Sequence, residues 1–274
     1  GDCIVCLERF LSVAPSQSWR TQVLAHSYYS IGRYEAARTH YERVLEVIAT
    51  STEAVRGLAL THYRMGDSSR ALTLLDRVIE MKPEHAEALI WKAQILYEEE
   101  RSEAAFEVAK SARLLEPYNP RPQYMLWQIN LDLGRDVEAD QAHAKWKELD
   151  RFAQEMRSLE GQLLFRPRDY GLATRLANLQ EQIGNVVATR KALERAVRNR
   201  PDEISEVELR KHALDVLVGM GDEVGAAQAA EALGRFCSED PEAWKRLETY
   251  YARIGNSSMA EKAGELFSRF SREQ

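Results

Sequence analysis

Cysteine is scarce here, with three in 274 residues. An odd number that small does not build a disulfide framework. It favours a reducing compartment and leans the expected location toward the cytoplasm. Glycine (14) and proline (8) are thinly spread. With so few breakers and so much Ala, Leu, Glu and Arg, the composition favours helix. No uninterrupted apolar stretch is long enough to span a bilayer, so no membrane partner is expected. Glycine-rich phosphate loops, HExxH and GxSxG are all missing. The six histidines, His26, His40, His62, His85, His143 and His212, keep no metal-ligand spacing. The formal net charge is -6, which disfavours nucleic acid as a partner. These absences lead to the expectation of no cofactor, no metal, no catalytic residue and no enzymatic reaction.

What is present is a repeat. Ala37, Ala71, Ala105 and Ala139 lie 34 residues apart, and Cys3 falls on the same phase. Gly32, Gly66 and Gly134 share a second phase, with Glu100 in the slot between them. Pro15, Pro83 and Pro117 share a third; Tyr29, Tyr63 and Tyr97 share a fourth. Each unit reads as two helices. In 52–85, Val55, Leu58, Ala59 and Tyr63 make one helical stripe. Gly66-Asp67 breaks it, because Gly accepts the left-handed conformation that ends a helix. Ala71, Leu72, Leu75, Val78 and Ile79 make a second stripe at spacings of three and four, and Pro83 ends that helix. The small residue in the second helix lets the pair approach closely.

This pattern resembles the tetratricopeptide repeat family. The unit 18–51 carries Leu24, Ala25, Tyr28, Gly32, Tyr34, Ala37, Tyr41 and Val44 at the family's positions. The unit 86–119 carries Leu89, Ala93, Leu96, Ala105, Ala112 and Pro117, and 170–203 carries Leu176, Ala177, Gly184, Leu193, Ala196 and Pro201. Weaker copies follow from about 204 to 240 and from 241 to 270. The resemblance implies an all-α fold, a right-handed superhelix of stacked helix–turn–helix hairpins. It also implies a non-catalytic scaffold that binds a protein or peptide in the concave groove lined by the first helices. The expected contact residues are Trp19, Gln22, His26, Tyr29, Arg56, Tyr63, Trp91, Gln94, Tyr97, Tyr124 and Gln128, with Leu60, Ile90 and Leu131 beside them. Rings with polar tips suit a peptide, covering its side chains while amides pair with its backbone. The alternative for the tyrosines is packing between hairpins. Chaperone-binding members clamp a carboxylate with Lys, Asn and Arg; here those positions read Gln22, His26, Gly57, Glu87 and Trp91, so the clamp is missing. In the C-terminal half, Arg175, Asn178, Lys211, His212, Lys245, Arg246 and Arg253 are interleaved with Glu181, Glu208 and Asp215, which reads as a solvated face. Two other functions stay open: a peptide-sensing regulator, and the substrate-docking region of a larger enzyme.

Two places depart from the period. The opening "GDCIVCLERFLSVAP" reads as the second helix of a repeat whose first helix is absent, with Cys3 in the small-residue slot and Leu7 and Phe10 in core slots. An open repeat end there offers a route to self-association. After Pro117 the next matching proline is Pro167, a gap of 50. Residues 136–166 contain one glycine, Gly161, and no proline, so they predict one extended helix roughly 40 Å long, with a degenerate extra helix starting near 152 as the alternative. Trp127 occupies the slot held by Ala25, Ala59 and Ala93, where it must open its hairpin or reach a neighbour. The expected organisation is therefore 1–17, a partial repeat; 18–135, a regular array; 136–169, an irregular junction; and 170–274, a divergent array.

Overall fold

The structure is a computed structural model and describes residues 18–237 and 239–272. The expectation for 1–17, with Cys3, Leu7, Phe10 and Pro15, lies outside the described residues. Among those residues the chain forms fourteen helices and no strand. Among the described residues no helix is long and apolar enough to cross a membrane. The helices are α1 (Ser18–Ser30), α2 (Tyr34–Val47), α3 (Thr52–Arg64), α4 (Ser68–Met81), α5 (Ala86–Glu98), α6 (Ser102–Leu115), α7 (Pro120–Asp132) and α8 (Asp136–Phe165). They continue with α9 (Tyr170–Gln182), α10 (Val186–Arg198), α11 (Glu206–Gly219), α12 (Glu223–Phe236), α13 (Pro241–Arg253) and α14 (Ser257–Phe270). Two compact units result, Gly1–Asp150 and Arg151–Gln274.

In the N-terminal unit successive first helices start at 18, 52, 86 and 120. Helices within each hairpin meet through alanines: Ala25 and Ala37 in one, Ala59 and Ala71 in the next, Ala93 and Ala105 in the third, all fully buried. A methyl group at each contact allows the close approach that a repeating stack needs. The turns carry the expected backbone. Gly32, Gly66 and Gly134 have positive φ, and Glu100 takes the same left-handed conformation at φ 57. Side-chain caps start most helices, for example Ser51, Asp67, Asn119, Asp169 and Asp240 accepting from backbone N–H groups of the first turn.

Residues 136–165 are one helix, α8, of 30 residues. Its buried positions Ala139, Ala142, Leu149, Phe152, Ala153, Leu159 and Leu163 follow one stripe. Trp127 resolves its misfit by reaching α8. Its ring stacks on His143 at 4.3 Å and lies parallel to Trp146 at 5.6 Å, with Tyr124 edge-on. In the C-terminal unit, α9/α10, α11/α12 and α13/α14 are hairpins around one core that includes Leu176, Leu193, Leu214, Leu233 and Leu247. Loops of three or four residues join consecutive helices everywhere except between α10 and α11, where 199–205 is longer than the two-to-four residues the period predicts.

Candidate functional site

The expected contact residues all fall in the N-terminal unit, and the structure sorts them into three neighbouring groups. The first surrounds a cavity of about 460 Å³ lined by Trp19, Gln22, His26 and Tyr29 of α1 and by Arg56 and Leu60 of α3. Trp19 is 61% exposed. The side chains of Gln22 and His26 make no hydrogen bond among the described residues. Arg56 donates to Glu53 at 2.6 Å, which holds the Glu53 carboxyl below the usual range. The Arg56 Nε is buried without a partner.

The base of this cavity is Tyr41, from the second helix α2. It gets there because residue 57 has no side chain: a Cβ on Gly57 would lie 2.3 Å from the Tyr41 ring. Burial pushes the Tyr41 phenol up to about 12, so it is a neutral O–H donor at any physiological pH. Sequence reasoning placed Tyr41 among the repeat's core residues and missed its place in the cavity. The signal was the pairing of a glycine in α3 with a tyrosine sixteen positions earlier.

The second group is a connected network on α3, α5 and α7. The Tyr63 hydroxyl donates to Glu98 at 2.6 Å, and Gln94 donates to the same carboxylate at 2.7 Å. Burial, then that bond, pushes Tyr63 up to about 12. Trp91 tilts against Tyr63 with centroids 6.1 Å apart and donates its indole N–H to Glu87. Arg121 lies over the Trp91 ring at 5.2 Å and pairs with Glu87 at 2.9 Å. Glu87, Glu98 and Arg121 were not among the expected contact residues. The third group holds Tyr97, whose hydroxyl bonds Asp132 and whose pKa is raised mainly by burial, with Tyr124; Gln128, one helical turn on from Tyr124, is half-buried. Tyr124 is exposed and carries the Trp127–Trp146 stack. One expectation fails: Ile90 is fully buried in the core and faces no groove. It packs among Leu89, Ala93 and Leu126, because one helical step, about 100°, turns it away from Trp91 and into the core.

The basic residues of the C-terminal unit are disposed differently. Lys211 is 5% exposed, not solvated; it donates to Asp240 at 3.1 Å and pairs with Glu208. Asp240 also caps α13 through Ala243, so this ion pair ties α11 to the start of α13. Arg246 pairs with Asp215 and Glu242, and Lys245 with Glu248. Among the described residues no group of three or more His, Cys, Asp or Glu could hold a metal ion.

Two tetratricopeptide repeat models match the sequence, over residues 16–84 and 56–120. Together with the 34-residue hairpins, they show tetratricopeptide repeats over residues 16–120 of this chain. No curated protein matches it. Among solved structures, MamA is 18% identical with a TM-score of 0.51, covering 56% of this chain and 89% of that one. A chain of the APC/C hetero-tetramer Cut9–Hcn1 is 12% identical with a TM-score of 0.50, covering 76% and 45%. YrrB, a tetratricopeptide repeat protein, is 14% identical with a TM-score of 0.47, covering 75% and 97%.

Proposed function

We propose that this protein is a non-catalytic interaction scaffold whose N-terminal unit holds a peptide or an extended segment of a partner protein along α1, α3, α5 and α7. The observation that carries this reading is the cavity between α1 and α3. Its rim offers Trp19 as an apolar face, and Gln22 and His26 as polar groups without hydrogen-bond partners among the described residues. A peptide backbone has both requirements in alternation: polar groups to pair and side chains to cover. The Tyr63–Trp91–Arg121 network continues the same face. Because its rings are already braced by hydrogen bonds and by Arg121, a ligand packing on them loses little side-chain entropy.

The test is peptide selection on the whole protein, followed by titration of a selected peptide against variants. Trp91→Ala should weaken binding roughly thirtyfold, the loss of about 2 kcal/mol expected of a central anchor. Lys245→Ala, in the C-terminal unit, should change it little. With helicity and melting unchanged in both, a damaging Lys245 substitution and a silent Trp91 substitution would move the contact surface to the C-terminal unit and overturn the reading.

A further inference from the structure

The C-terminal unit contains a larger cavity, about 650 Å³, that shares no residue with the groove described above. It opens between α10, α11 and α12, beside the long 199–205 loop. Second helices α10 and α12 start at 186 and 223, three residues further apart than the repeat period of 34. The surplus falls in the loop, which carries Arg200 and Asp202 to the cavity wall.

Four arginines line it: Arg190, Arg198, Arg200 and Arg210. Three of them are half-buried. Arg200 and Arg210 hold Glu206 between them, at 2.7 and 2.5 Å. Arg210 also lies 4.4 Å over the Phe236 ring, which fixes its plane. Arg190 crosses Gly225 to reach Asp222 at 3.5 Å; a Cβ on Gly225 would lie 2.9 Å from its Cδ. Capacity is left over. The Arg200 Nε is buried without a partner, and Arg198 forms no ion pair or hydrogen bond among the described residues. The remaining acids of the wall, Glu194 and Asp202, are exposed at its rim, where water screens them. The floor is apolar, with Leu193, Ala213, Leu217 and Ala229.

We infer that this cavity binds a small organic anion, a phosphate or carboxylate carried on an apolar body. The anionic group sits against Arg198 beside Arg200, and the body lies on Leu193 and Leu217. Guanidinium forks match the two oxygens of such groups. A half-buried site with an apolar floor strengthens the pairing relative to open water, and the volume lies in the range of small-molecule cavities. Glu206 does not close the site. Its carboxylate already accepts from both Arg200 and Arg210, so it orients them.

The test is titration of the whole protein, by calorimetry and by amide shifts, with hexyl phosphate, hexanoate, hexylamine and inorganic phosphate. Hexyl phosphate and hexanoate should saturate the 190–232 segment, inorganic phosphate should bind more weakly, and hexylamine should not bind. Arg198→Gln, an exposed change that leaves the fold intact, should weaken hexyl phosphate about tenfold, and added salt should weaken it further. Arg175→Gln, elsewhere in the unit, should leave it unchanged. Hexylamine binding as well as hexyl phosphate would assign the site to Glu194 and Asp202 and overturn the inference. So would equal affinity of Arg198→Gln and the parent, or no saturation by either anion.

Discussion

The two units are built from the same hairpin but treat their polar side chains in opposite ways. On the first helices of the N-terminal unit, the side chains of Gln22 and His26, both on α1, make no hydrogen bond among the described residues, and the rings of Trp19 and Tyr124 are exposed. On those of the C-terminal unit, Lys211, Arg246 and Lys245 are each neutralised by neighbouring carboxylates. A surface offers specific hydrogen bonds only where its donors and acceptors are not already paired. The difference therefore teaches where polar chemistry is directed: outward at α1, inward across α11 to α13. The periods agree with it. The N-terminal first helices keep 34 residues without exception, and both family matches lie there. The C-terminal spacing drifts, and the loop that absorbs the drift walls a cavity.

The sharpest way to break this comparison uses one glycine from each unit. A methyl group at residue 57 meets the rigid ring of Tyr41 at 2.3 Å, whereas one at residue 225 meets the end of the Asp222 carboxylate, which caps α12 and can move only by giving up that cap and its pairing with Arg190. Gly57→Ala should destabilise its unit by about 2–3 kcal/mol through overpacking and should weaken peptide binding by tilting Tyr41 out of the cavity. Gly225→Ala should cost about 1 kcal/mol, because helix propensity partly offsets the loss of the Asp222 cap. Denaturant unfolding of the two variants decides it. Equal losses would mean that Tyr41 is not held by the space at Gly57.

A second test concerns the inward-directed charge. Lys211→Met keeps the apolar stem of the side chain and removes the ammonium from Asp240 and Glu208. Asp240 is half-exposed and Glu208 mostly so, which discounts the usual cost of breaking a buried pair. The expected loss is about 1–2 kcal/mol, read from chemical denaturation. A loss near zero would show that Lys211 is carried by packing alone and that the C-terminal basic residues are not structural.

Most of the fold was legible because it follows from local chemistry repeated at one interval. Ala37, Ala71 and Ala105 announce close helix contacts, Gly66-Asp67 announces a turn and a cap, and each needs only its own neighbours in the chain. The members of the groove were legible for the same reason, since helical periodicity puts Trp19, Gln22 and His26 on one face. What escaped depends on pairs from different helices. Tyr41 reaches the groove only through the gap at Gly57; Ile90 sits one helical step from Trp91 yet faces the core. Lys211 looked solvated because its acids on α11 suggested a mixed surface, while its second carboxylate, Asp240, comes from the following hairpin. The arginine-lined cavity escaped because the three-residue surplus beside it is small against a pattern already diverging there.

The smallest effect tests the turn chemistry on which the N-terminal regularity rests. Gly32, Gly66 and Gly134 occupy the left-handed turn position with φ between 67 and 86, and Glu100 holds it at φ 57. A side chain there crowds the following carbonyl, while glycine does not. Glu100→Gly should therefore stabilise the unit by about 0.5–1 kcal/mol, net of the extra freedom glycine gives the unfolded chain. Gly66→Ala should destabilise it by a similar amount, since it puts a Cβ where the parent has none. Both changes lie at exposed turns, so they should leave peptide affinity alone and shift only the unfolding midpoint. If Glu100→Gly lowers that midpoint, the Glu100 side chain holds the turn through an interaction that outweighs the backbone strain, and the four turns are not equivalent.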